Sequence, residues 1–194
     1  MVVVFDVMDT LVVDPFHDAL PAFFGLDFAS FLAQKHPTNW MAFESARISE
    51  QAYLQQLFRD RRPVDGTALR AHLAAAYRWV DGMHELLVEL HQAGVEVHAM
   101  SNYPVWYHLI EEELGLGRYL QWSMVSWDTG LRKPDPRAYR RGAARVGHPP
   151  GALLLIDDQP VNVEAARAEG WGGVVFEGAE PLREALAQHG VLSR

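Results

Sequence analysis

The chain has 194 residues, 49% of them hydrophobic and 22% charged, and its 25 acidic against 17 basic side chains leave a net charge of −8 with histidine neutral. That length suits one domain, or one domain carrying a sizeable insertion. The acidic balance argues against a nucleic-acid partner, whose phosphates attract clustered lysine and arginine. The sequence has no cysteine, which excludes disulfides, thiolate metal sites and cysteine nucleophiles. No apolar run reaches the ~18–20 residues of a membrane span. The N-terminus lacks a basic leader and meets Asp6 almost at once, unlike a signal peptide. A cytoplasmic location with no membrane partner is the expectation.

Val2 to Phe5 form a short β-branched and aromatic run, the signature of a strand buried on both faces. It stops at Asp6. From Pro15 to about Val80 the pattern is helical, with segments at 30–35, 49–58 and, after the turn Pro63-Val64-Asp65-Gly66, a helix capped by Thr67. This block reads as a helical insertion. From Asp81 the rhythm becomes helix, strand, helix, strand. Helices are expected at 83–93, 104–114, 136–146, 161–169 and 181–189, several closed by glycine. Strands are expected at 95–100, 122–125, 152–156 and 173–176, with a polar loop over 127–134. Such alternation means βαβ crossovers and a parallel sheet.

The polar residues at the strand ends form a set. Strand one ends at Asp6, strand two at Ser101-Asn102 and strand four at Asp157-Asp158, while strand three leads into the loop with Lys133. Ligands of open α/β sheets bind at the carboxyl ends of the strands, and neighbouring strands lie ~5 Å apart. Acidic groups from two strands make a hard-oxygen site suited to Mg²⁺. A hydroxyl, an amide and one lysine around them suit an anionic group such as a phosphoryl, so a small phosphorylated or similarly anionic substrate is expected. Taken singly, these residues have plainer readings. Asp157-Asp158 can cap the helix that follows, Ser101-Asn102 before Pro104 can be a cap, and Lys133 can be a solvated loop residue. Arg132 is read as surface.

Four motifs resemble those of the haloacid dehalogenase-like hydrolase superfamily, in the branch with a helical cap inserted after the first motif. They are Phe5-Asp6-Val7-Met8-Asp9-Thr10-Leu11, Met100-Ser101-Asn102, Gly130-Leu131-Arg132-Lys133-Pro134-Asp135-Pro136 and Ile156-Asp157-Asp158-Gln159-Pro160-Val161-Asn162. The resemblance covers nearly the whole chain. It implies an α/β fold, a Rossmann-like parallel sheet flanked by helices with a small all-helical cap. The core would be 1–14 and 81–194, and the cap 15–80. It further implies a Mg²⁺-dependent phosphatase in which Asp6 is nucleophile and metal ligand. Ser101, Asn102 and Lys133 would bind the phosphoryl group, Lys133 also neutralising Asp6. Asp158 would be the second acidic ligand, with Asp157 beside the metal and Asn162 as outer support.

The departure is at Met8, where the family's phosphatases usually carry an aspartate that protonates the leaving alkoxide and then activates water. Methionine has no proton to exchange, although its backbone carbonyl can still coordinate Mg²⁺. General acid–base assistance is typically worth ~10²–10⁴-fold, so turnover of ordinary phosphomonoesters should be weak. Asp9 is a poor substitute, because successive strand-end side chains point opposite ways. Two alternatives stand beside the phosphatase: a ligand-binding or regulatory protein on the same fold, and a metal-free dehalogenase, against which the pair Asp157-Asp158 argues. Trp106 and Trp127 lie past strand ends, where a ring can wall the site. Phe16, His17, Trp40 and Arg47 in the insertion are candidates for substrate choice, with helix packing an equal alternative.

Overall fold

A computed structural model of the chain describes residues 1–192. Five parallel strands form one sheet: β1 (Val2–Phe5), β2 (Val97–Ser101), β3 (Gln121–Val125), β4 (Leu153–Asp157) and β5 (Gly172–Val175), in the order β3-β2-β1-β4-β5. β1 pairs with β2 through Val3–Val97 and Phe5–Ala99, and with β4 through Val2–Leu153 and Phe5–Ile156. β1, β2 and β4 are buried throughout, as the apolar runs of β1 and β4 require, and β2 buries His98 among its apolar residues. The chain builds outward from β1 on one side and then returns to build on the other. The switch in direction therefore falls between β1 and β4, where α/β sheets open a ligand crevice.

Helices α6 (Met83–Gln92), α7 (Tyr107–Leu114) and α11 (Ala179–Gln188) pack on one face of the sheet, around Val3, Phe5, Ala99, Leu154 and Ile156. Helices α9 (Pro136–Val146) and α10 (Pro160–Ala168) cover the other, around Val4, Met100, Met124 and Leu155. Alternate residues of each strand thus supply opposite cores. Gly115 and Gly147 end α7 and α9 with φ of 64° and 79°, the left-handed stop their positions predict. Among the described residues no helix is long and apolar enough to cross a membrane.

Between β1 and α6 lie five short helices: α1 (Ala19–Phe23), α2 (Phe28–Gln34), α3 (Asn39–Glu44), α4 (Glu50–Gln55) and α5 (Gly66–Ala74). The buried residues of this block, among them Phe31, Phe43, Tyr53, Leu57, Phe58, Leu69 and Leu73, join the first of the two cores rather than forming their own. The chain enters and leaves this block through one short ribbon. Val12 bridges Trp79 antiparallel, Val13 N donates to Arg78 O at 2.9 Å, and Val80 N donates to Leu11 O at 2.9 Å.

Several boundaries differ from the sequence-based expectation. α1 and α3 carry too few residues, five and six, to show a helical period. α4 stops at Gln55 instead of running to Phe58. Asn39 Nδ2 takes the Gln56 carbonyl at 2.6 Å and His36 N takes that of Leu57 at 2.7 Å, so the chain leaves the helix to run beside 34–36. α7 starts at Tyr107, because Pro104 forms a turn closed by Tyr107 N to Pro104 O at 3.0 Å. The stretch expected as a loop after β3 opens with a four-residue helix, α8 (Ser126–Thr129).

Candidate active site

Asp6 N donates to Ile156 O at 2.8 Å, which carries the β1–β4 ladder one step past the strand and sets Asp6 beside Asp157 at the switch point. The following residues coil into one tight turn, with Leu11 N and Val12 N both donating to Val7 O at 2.9 and 2.8 Å, and Asp9 N to Val12 O at 2.7 Å. Asp9 adopts a left-handed φ of 55°, a conformation aspartate tolerates better than most residues. Among the described residues no backbone N–H donates to the Met8 carbonyl, and its side chain lines the same cavity as Asp6.

Lys133 is 2% exposed, and its Nζ lies 2.6 Å from Asp6 Oδ1 and 2.6 Å from Asp157 Oδ2. Burial alone would push this ammonium toward neutrality. The Asp6 and Asp157 carboxylates outweigh it and hold Lys133 above the ordinary lysine range, so it stays charged. Asp6 feels the reverse balance. Burial raises its carboxyl, Lys133 opposes, and Asp157 and Asp158 add repulsion, leaving it above the usual carboxylate range. Burial likewise raises Asp158, against the hydrogen bond from Gln159.

Asp157 is fully buried and fully engaged. Oδ1 accepts from Gln159 N and Asn162 Nδ2, both at 2.9 Å, and Oδ2 accepts from Lys133 Nζ and, at 3.1 Å, from Asn162 Nδ2. Asn162 is thereby fixed at the start of α10 against the end of β4. Asn102 is similarly engaged: Nδ2 donates to Lys133 O at 2.9 Å and Oδ1 accepts from Lys133 N at 2.8 Å. Its side chain holds the Lys133 loop to the end of β2. Ser101 is buried at the same strand end and faces the cavity.

Carboxylate oxygens of Asp6, Asp157 and Asp158 lie within 4.8 Å of one another. The structure therefore brings together the predicted residues Asp6, Met8, Ser101, Asn102, Lys133, Asp157 and Asp158, all but Asp157 lining one cavity of about 400 Å³, a size usual for small-molecule sites. The opposite wall comes from the helical block: Phe16, His17, Lys35, Pro37, Trp40 and Met41. Phe16 and Trp40 sit 6.3 Å apart, and Trp40 meets Tyr103 edge-on at 5.8 Å.

Other expectations need correction. Trp106 does not wall the site; it is 2% exposed, packs on Phe43 and donates from Nε1 to Glu50 Oε1 at 2.6 Å. Trp127 packs on Phe43 as well, and Arg47 is exposed away from the cavity. Arg132 is no idle surface residue, since Nε donates to buried Glu44 Oε1 at 2.6 Å and so ties α3 to the loop before Lys133. Sequence reasoning missed Asp14, Lys35 and Tyr103 as cavity residues. Asp14 carried a signal in its position, an acidic group immediately before the proline that opens the insertion.

The fold and this constellation define a phosphoryl- or haloacid-type α/β hydrolase, and the chain belongs to the haloacid dehalogenase-like hydrolase family, whose model matches residues 1–170. The chain is 41% identical over 190 residues to flavin mononucleotide hydrolase 1, chloroplastic, of Arabidopsis thaliana, an alignment covering 98% of this chain and 78% of that protein. It is 31% identical over 90 residues to phosphoglycolate phosphatase of Pseudomonas savastanoi pv. phaseolicola, where the match spans 46% of this chain and 33% of that protein. A HAD family enzyme of Bacteroides thetaiotaomicron shares the fold, with a TM-score of 0.78 at 14% identity over 95% of this chain and 97% of that one. That enzyme has also been crystallised with magnesium and inorganic phosphate.

Proposed function

We propose that the protein is a Mg²⁺-dependent phosphomonoester hydrolase acting through an aspartyl-phosphate on Asp6, with flavin mononucleotide or a phosphomonoester of similar size and planarity as substrate. The observation that carries this reading is Asp6 at the switch point, lining a cavity and 2.6 Å from the buried ammonium of Lys133. A carboxylate held in this way is a competent nucleophile toward phosphorus, because phosphoryl transfer asks for positioning and charge neutralisation more than for covalent assistance. Asp6 Oδ forms the new bond to phosphorus as the substrate's ester oxygen departs. Ser101 and Lys133 meet the phosphoryl oxygens. Asn102 and Asp157 hold Lys133 in place, one through its backbone and the other through its ammonium.

The donors fit a divalent cation. Three carboxylates with oxygens within 4.8 Å of one another face a single ammonium, which leaves an excess of negative charge at a hard-oxygen site. Asp6, the Met8 carbonyl and Asp158 would hold Mg²⁺, with Asp157 beside it through its hydrogen-bonded oxygens. Bound there, the ion supplies charge neutralisation for the phosphoryl group.

The substrate assignment draws on the name of the Arabidopsis relative and on the wall of the cavity. Phe16, His17, Trp40 and Tyr103 offer ring faces and edges for a planar group, and Lys35 adds a cation beside them. Residues 15–80 would act as a cap that selects the leaving group, over a core of 1–14 and 81–194. The test is phosphate release from flavin mononucleotide with Mg²⁺ and with chelator, wild type against Asp6→Asn. Turnover that needs Mg²⁺ and disappears in Asp6→Asn is expected. Turnover of small phosphomonoesters but not of the flavin would discard the substrate, and halide release in chelator would discard the phosphatase.

A further inference from the structure

Met8 leaves the phosphatase reading without a proton donor for the leaving oxygen, yet another carboxylic acid lines the same cavity. We propose that Asp14 is that catalytic acid and base. The inference rests on the phosphatase reading and adds a residue to it.

Asp14 follows Asp6 by eight positions, but the tight turn folds it back. Its own N–H donates to Asp9 Oδ1 at 2.9 Å, and its side chain lines the cavity that contains Asp6, Met8 and Lys133. One carboxyl oxygen, Oδ1, accepts from Phe16 N at 3.0 Å. Among the described residues no donor reaches Oδ2, which is left to carry and deliver a proton. His17 and Lys35 stand on the cavity wall from the helical block, the exposed His17 ring within 4.8 Å of the Asp14 carboxyl, while four other titratable groups are otherwise employed. Asp6 is the nucleophile and Asp158 stands with the acidic cluster at the β4 end. Asp9 accepts from the Asp14 backbone and is exposed. The Tyr103 hydroxyl is paired with that of Tyr77 at 2.9 Å, and burial drives both phenols far above the range in which they could exchange a proton.

The surroundings suit the role. Asp14 is half-buried, and desolvation raises its carboxyl to about 6, with Asp9 and Asp18 adding repulsion and Phe16 N and His17 opposing it. The buried Tyr77 and Tyr103 near Asp14 stay neutral phenols and bring it no counter-charge. A general acid works best near ambient pH. In the first step Asp6 Oδ bonds to phosphorus, the P–O ester bond breaks, and the Asp14 proton passes to the departing alkoxide. In the second, the Asp14 carboxylate takes a proton from water as the water oxygen bonds to phosphorus. The Asp6–phosphorus bond then breaks, and inorganic phosphate and both carboxyl groups are restored.

The experiment compares kcat/KM for flavin mononucleotide, whose leaving group is an alkoxide, with that for p-nitrophenyl phosphate, whose phenolate departs without a proton. In Asp14→Asn the flavin value should fall ~10²-fold or more while the nitrophenyl value changes little. Asp14→Glu should recover part of the flavin rate. In the wild type, the flavin kcat/KM should carry a falling limb at higher pH, beyond the rise that ionises Asp6, and that falling limb should be absent from the nitrophenyl profile and from Asp14→Asn. Equal loss on both substrates, or no loss on either, in a folded Asp14→Asn overturns the proposal. Should that variant fail to fold, the wild-type profiles decide: the same limb with both substrates overturns it. A wild-type enzyme inert on both removes the hydrolase reading and this one with it. An active wild type with an unselective Asp14→Asn removes this one alone.

Discussion

Asn102 and Lys133 hold each other through two hydrogen bonds, Asn102 Nδ2 to Lys133 O at 2.9 Å and Lys133 N to Asn102 Oδ1 at 2.8 Å. The pair closes a gap of 31 residues between the end of β2 and the loop before α9. Only an amide side chain both donates and accepts in this way. Asn102→Ala should leave two backbone groups without partners and destabilise the fold by about 1–3 kcal/mol. Because the lost contact positions Lys133, kcat should drop as well. Asn102→Asp should be no better, since its carboxylate meets the Lys133 carbonyl. Chemical denaturation together with phosphate release checks both.

Lys133 itself sits between two carboxylates, and its removal tests their charge. Lys133→Met keeps the volume but leaves Asp6 and Asp157 buried without a counter-ion, a change of the kind that costs about 3–5 kcal/mol. Turnover should vanish. The variant should also gain stability as pH falls, since protonation relieves the stranded carboxylates. The wild-type lysine has the opposite bearing on pH. Its folded-state pKa lies above 10.5, so the stability it contributes is complete below that value and is lost only as pH rises beyond it. Thermal melts of the variant across pH 4–8 check the first behaviour, and a variant whose melting is flat over that range would contradict the ion-pair account.

The sheet was legible because short, mostly apolar runs alternate with helical patterns, β1 and β4 being unbroken until the aspartates that end them, as a doubly covered parallel sheet requires. The family match bears out the hydrolase resemblance drawn from the four motifs. Local rules failed where distant partners decided the outcome. The end of α4 depends on Asn39, and the fate of Trp106 on Glu50. Arg132 looked like a solvated neighbour of Lys133 because its partner, Glu44, is 88 residues away in the chain. Asp14 was overlooked for a related reason. Period-based reading assigns it to the stretch after the strand, and only the turn made by Val7, Asp9 and Val12 brings it back to the cavity.

Asp14 also makes a prediction about stability that needs no substrate. Its carboxyl titrates at about 6 in the folded chain, against an ordinary value of 3.8. Between these values the folded state keeps a proton that the unfolded chain has released. Stability therefore falls as pH rises from about 4 to 6, and the penalty persists at higher pH. Asp14→Asn removes it. The variant should melt above the wild type at pH 7.5, by at most about 3 kcal/mol of added stability, and level with it near pH 4. A gain in stability joined to a loss of turnover is the usual mark of a strained catalytic group.

The contact between Arg132 and Glu44 predicts how the helical block is held to the sheet. Glu44 is 2% exposed, and burial raises its carboxyl while the guanidinium beside it opposes the shift. The backbone of the same residue takes a second tie, Ser126 Oγ donating to Glu44 O at 2.6 Å. Arg132→Ala should strand a buried carboxyl and destabilise by about 1–3 kcal/mol at neutral pH. The deficit should shrink as pH falls, because the raised Glu44 carboxyl takes up a proton more readily than an ordinary glutamate and then needs no counter-ion. Arg132→Lys should restore the charge without the planar donor that reaches Oε1, and so recover only part of the loss. α3 begins at Asn39, and its residues Trp40 and Met41 line the cavity. A loosened α3 should accordingly raise KM for flavin mononucleotide more than it lowers kcat. Melting temperatures at two pH values and steady-state kinetics of the two variants check these outcomes. An Arg132→Ala protein with unchanged KM would show that the ion pair stabilises the fold without setting the shape of the cavity wall.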